Sequence, residues 1–66
     1  MIAINLNVLR SLQGDMTDIA FSEKVGISRT QLWRIRKKPF SFGPDFLERI
    51  MITYPGIDLN ELFISI

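Results

Sequence analysis

The chain has 66 residues, 47% of them hydrophobic, with no Cys, no His and a net charge of +1. A chain this short makes one small domain, 1–66, that buries only about 60% of the surface it exposes when unfolded. Disulfides, thiolate chemistry and the usual zinc ligands are excluded at once, which leaves association with a second copy as the expected means of adding stability. No metal and no cofactor are expected.

A mean hydropathy of +0.19 is high for so small a domain and favours such a contact. No apolar run approaches the roughly 18 residues of a membrane span, so no membrane partner is expected. The opening "MIAINLNV" lacks the basic n-region of a signal peptide, and a cytoplasmic protein is the expectation.

The charge is distributed unevenly. Residues 1–28 are net −1 and residues 39–66 net −3, whereas residues 29–38 hold Arg29, Arg34, Arg36, Lys37 and Lys38 with no acid, net +5. One positive patch on an otherwise acidic body points to a polyanionic partner.

In chain order, Leu6, Leu9 and Leu12 recur at helical spacing behind a possible Asn5 cap, predicting a first helix to about Gln13. Thr17 is a good N-cap for a second helix with Asp18 at its positive end, and Phe21 and Val25, with small Ser22, form its apolar face. Gly26 supplies the reversal. Two residues later Ser28-x-x-Gln31 has the form of a capping box and opens a third helix, which should stop at Lys38 before Pro39. Gly43 and Pro44 suit the N-cap and first position of a fourth helix with Phe46, Leu47, Ile50 and Met51 inward. Asp58-x-x-Glu61 opens a fifth, with Leu59, Leu62 and Phe63 as core. The resulting fold class is all-α, five short helices.

The ends are ambiguous. Ile2, Ile4, Leu6 and Val8 alternate with Ala3, Asn5 and Asn7, and Leu62, Ile64 and Ile66 alternate too, a strand period. They are either a small sheet, within a subunit or across a dimer, or apolar tails that need a partner.

On the third helix, at about 100° per residue, Leu32 and Ile35 define a buried side. Thr30, Trp33, Arg34 and Lys37 point away from it, Arg29 lies beside them, and Arg36 and Lys38 occupy the flanks. The outward face thus offers donors, cations and one aromatic ring without a carboxylate. Such a helix suits the major groove of double-stranded DNA, where Arg pairs bidentately with guanine and Thr meets a polar edge or a thymine methyl. Flanking cations would reach the phosphates. Trp33 has three possible roles: packing onto Phe40 or Phe42, touching DNA, or contacting a protein.

"TDIAFSEKVGISRTQLWRI" resembles the helix-turn-helix of the lambda-repressor/Cro-like family, and "PDFLERIMITYPGIDLNELF" resembles that family's fourth and fifth helices. The likeness covers roughly residues 6–63 and implies a lambda-repressor-like DNA-binding domain with its helix-turn-helix at about residues 17–38. It further implies base contacts from Arg29, Thr30 and Arg34, and a phosphate-contacting turn around Gly43 to Asp45. Ser28, Trp33, Arg36, Lys37, Lys38 and Gly43 are the expected backbone or flanking contacts. Asp18 stands where the family usually has Gln, and a carboxylate cannot donate to phosphate. Ser22 replaces the usual Ala, and its hydroxyl needs a partner such as a carbonyl one turn back.

The chain's carboxylates show no spacing suited to acid–base catalysis, and no Gly-rich phosphate cradle is present. No enzyme is expected. The leading expectation is a sequence-specific regulator of bacterial or phage type, repressor-like, acting as a homodimer through Leu62, Phe63, Ile64 and Ile66. The competing one is a protein-interaction module, an adaptor or inhibitor, suggested by the hydrophobic excess together with Asp18.

Overall fold

A computed structural model describes residues 1–65. The elements run β1 (Ile2–Ile4), α1 (Leu6–Gln13), α2 (Asp18–Val25), α3 (Arg29–Lys37), α4 (Pro44–Thr53), α5 (Leu59–Leu62) and β2 (Phe63–Ser65). The fold is mostly helical, but all-α needs correction. β1 and β2 pair antiparallel within the subunit, with Ile2 opposite Ser65, Ala3 opposite Ile64 and Ile4 opposite Phe63. Residues 2–4 and 63–65 are therefore each other's partners, their facing backbone groups meeting in a ladder that neither could make alone, while Leu6 and Val8, which continued the alternation, lie in α1 and Leu62 in α5.

Four of the helix starts are secured by the side chains that their sequence promised. Asn5 accepts from the Asn7 N–H at 3.1 Å, Thr17 from Ala20 at 3.1 Å, Ser28 from Gln31 at 3.0 Å and Asp58 from Asn60 at 2.9 Å. Each bond satisfies a donor that the first helical turn leaves orphaned. The fourth start, at Gly43, relies on Pro44 and has no side-chain cap. α3 ends one residue earlier than expected. Lys38 is its C-cap, with φ −133° and ψ 82°, because the residue before a proline is pushed out of helical geometry.

Ile4, Leu9, Phe21, Val25, Leu32, Ile35, Phe46, Ile50 and Leu62 form one buried cluster to which β1 and every helix contribute. The Ser22 hydroxyl, buried among them, donates to the Asp18 carbonyl one turn back, the arrangement its sequence position called for. Two expected core residues lie outside. Met51 is exposed because it stands about 120° around α4 from the Phe46/Ile50 side, and Leu59 is exposed because α5 is a single turn whose inward place is taken by Leu62. Of the loop phenylalanines, Phe42 is half-buried against Phe63, ring centroids 5.7 Å apart, whereas Phe40 is exposed.

Candidate nucleic-acid interface

The basic segment is presented by the reversal between α2 and α3. Gly26 closes α2 in the left-handed region at φ +86°, its N–H donating to the Ser22 carbonyl at 2.8 Å. Ile27 and Ser28 follow, and α3 begins at Arg29. Leu32 and Ile35, both about 1% exposed, anchor one side of α3 in the core. That anchoring turns the opposite side outward: Arg29, Thr30, Trp33, Arg34 and Lys37 are all exposed, as is Lys38 at the helix end.

Trp33 is 61% exposed. The ring paired with Phe42 is that of Phe63. Beside Trp33 is Lys37, whose ammonium lies 5.8 Å from the indole centroid. The pair makes a combined aromatic and cationic surface along one edge of α3. A shallow crevice of about 350 Å³ beside it is lined by Trp33, Arg34, Lys37, Lys38 and Ser41. A second crevice of about 320 Å³ runs from Ser28, Thr30, Gln31 and Arg34 across to Ser41, Gly43, Pro44 and Asp45. The structure thus brings the start of α3 and the start of α4 to one groove. α3 itself carries no acid, but Asp45 sets one carboxylate at the groove's rim.

Two of the expected contacts are placed differently. The Ser28 hydroxyl is engaged in capping Gln31. Arg36, half-buried, turns back from the outward face toward the α1–α2 junction: its Nη1 donates to Asp18 Oδ1 at 2.8 Å and its Nη2 to Gln13 Oε1. Gln13 Nε2 donates to the same Asp18 oxygen at 2.9 Å and to the Met16 carbonyl at 2.8 Å. The hydrogen bond from Gln13 and the Arg36 guanidinium hold the Asp18 carboxyl below its ordinary value, and Arg29 adds a weaker attraction in the same direction. Gln13 carried no signal in the sequence, because it lies 23 residues from Arg36.

The expected dimer residues also separate. Leu62 is 0% exposed and belongs to the core of its own subunit, so it has no surface to offer a second copy. Phe63 is half-buried against Phe42, Ile64 is 41% exposed, and Ile66 lies outside the described residues.

Among the described residues, no group of three or more acidic, His or Cys side chains is arranged to hold a metal. No helix there is long and apolar enough to cross a membrane. No protein-family model, curated protein or solved structure matches this chain.

Proposed function

We propose that the chain is a sequence-specific double-stranded DNA-binding regulator of the lambda-repressor/Cro-like, helix-turn-helix kind, with α3 as the recognition helix. The observation that carries this reading is the outward side of α3, where Arg29, Thr30, Trp33, Arg34 and Lys37 are exposed together on a helix with no acid. In this reading Arg29, Thr30 and Arg34 meet base edges in the major groove. Lys37, Lys38 and the uncapped start of α4 at Gly43 meet the phosphate strands, and these contacts set register without reading sequence. The protein works by binding and carries out no reaction. As a homodimer it would set two recognition helices about one DNA turn apart on a palindromic site.

A protein-interaction role is favoured by a different observation. Ile2, Ile19, Met51, Ile52, Leu59 and Ile64 are large apolar side chains left exposed on elements other than α3, the kind of surface that marks a protein contact where it is contiguous.

Selection from a random duplex library at moderate salt separates the two. Enrichment of an inverted repeat with half-sites about 10 bp apart is the expected result. No enrichment by a folded protein would overturn the DNA reading in favour of the second.

A further inference from the structure

Five cations lie in residues 29–38, yet they are not equivalent. Among the described residues, Arg36 is the one of the five that makes an ion pair, Nη1 to Asp18 Oδ1 at 2.8 Å. The pair is part of a closed cycle. Arg36 donates to Asp18 and to Gln13, Gln13 donates to Asp18, and Gln13 is itself held by the Met16 carbonyl. Asp18 and Gln13 belong to the α1–α2 junction, 18 and 23 residues away in sequence. The arrangement therefore forms only when α3 is docked on that junction. Asp18 presents to Arg36 the same chemistry a nucleic-acid phosphate would, an anionic oxygen at charge-assisted hydrogen-bond distance.

We propose that Asp18 is a built-in substitute for phosphate that keeps Arg36 out of anion binding and so sets how many phosphates the basic helix engages. This rests on the reading of α3 as the DNA-binding helix. The cycle has two consequences. It removes one cation from the count that governs salt-dependent affinity, and it fixes the C-terminal turn of α3 against α1 and α2. Nonspecific attraction falls while the geometry that base readout needs is kept. The Asp18 and Arg36 side chains are 55% and 36% exposed. Solvent screens an exposed pair, so once the charge at position 18 is removed the remaining neutral acceptors, Gln13 Oε1 among them, compete poorly with an anionic phosphate for Arg36. The other charged groups facing the cycle are Arg10, which lines the same cleft, and Arg29, which attracts Asp18 from the start of α3.

The test is the salt dependence of binding to a random-sequence 20-base-pair duplex, for the full chain and two variants. Each phosphate neutralised adds about 0.9 to the slope of log affinity against log salt. Asp18→Asn should steepen the slope by about that amount, and Asp18→Asn combined with Arg36→Ala should return it to the wild-type value. An unchanged slope in Asp18→Asn would overturn the proposal. So would a gain that survives in the double variant, because it would come from lost repulsion and not from a released Arg36. Inorganic phosphate supplies a readout that does not depend on DNA. Followed by the Arg36 Nε–H resonance, phosphate should produce a saturable shift in Asp18→Asn and none in the wild type, and equal responses would overturn the lock. If no form binds the duplex, the regulator reading falls and the phosphate titration still decides whether Asp18 withholds Arg36.

Discussion

Ile4 donates its backbone N–H to the Pro39 carbonyl across 2.9 Å, joining the first strand to the loop that ends the basic helix. The same residue is 0% exposed and sits opposite Phe63 in the sheet. Ile4 thus ties the N-terminal strand, the end of α3 and the C-terminal strand at one point. Ile4→Ala should cost about 2–5 kcal/mol through lost burial and the cavity left behind. Against the roughly 3–10 kcal/mol total expected for a chain of this length, that is a large share. Urea denaturation should show a midpoint lowered accordingly. A shift under about 0.5 kcal/mol, the size of an ordinary surface effect, would mean that the strand contributes little to the core.

Gly26 has a narrower role. At φ +86° a Cβ meets only the flexible Arg49 side chain, at 3.4 Å, so space is not the obstacle. The backbone is. Gly26→Ala should destabilise by about 1–2 kcal/mol, the cost of placing an L-residue in the left-handed region, and Gly26→Asn should cost less. Equal losses for the two variants in thermal unfolding would indicate a steric origin instead.

Asp18 supplies a pH dependence with a definite sign. Its folded carboxyl is held below the ordinary value of 3.8, first by the Gln13 amide and then by Arg36. A depressed folded pKa stabilises the fold above the unfolded value, about 3.9, and that contribution is lost as pH falls through the folded one. Neutral conditions therefore keep it whole. An NMR titration of the Asp18 carboxyl should give a midpoint under 3.8, and Gln13→Ala or Arg36→Ala should move it upward. A midpoint that neither variant moves would show that the cycle does not form in solution.

The DNA-binding reading proposed for α3 assigns a different role to each exposed residue on its outward side. Arg34→Ala should lose about 1–3 kcal/mol of discrimination at one base position. Lys37→Ala should weaken all duplexes alike and flatten the salt slope by about one. Trp33→Ala should change stability by less than about 0.5 kcal/mol, since the ring is mostly in solvent, while lowering duplex affinity. Competition binding against single-base variants of a selected site distinguishes these three patterns. Uniform losses across all three would remove α3 from base recognition.

Much of this was legible locally. The caps at Asn5, Thr17, Ser28 and Asp58, the reversal at Gly26 and the buried pair Leu32/Ile35 all depend on neighbours two to four residues away. Short-range spacing therefore identifies them. The exposed set Arg29, Thr30, Trp33, Arg34 and Lys37 follows from the same geometry, because burying one side of a helix necessarily turns the other outward. The fate of Arg36 was not legible. It stands on the flank of the helix, where rotation alone allows either solvent or a neighbour, and the neighbour comes from another element.

The ends of the chain mark the same boundary. Alternation at Ile2–Ile4 and Leu62–Ile64 is a strand period in the sequence, but a period of two names a conformation and not a partner. Only the tertiary structure brings residues 2–4 beside residues 63–65 in one subunit, buries Leu62 and leaves Ile64 on the surface. What the sequence determined by itself is therefore what lies within one turn: where the helices start, where α2 reverses into α3 and which sides of those two helices are apolar, whereas the inward places expected for Met51 and Leu59 did not hold. What only the fold decided is which distant groups meet, Ile4 with Phe63 and Asp18 with Arg36. Those pairings depend on how all the elements pack at once, and no local pattern contains that information.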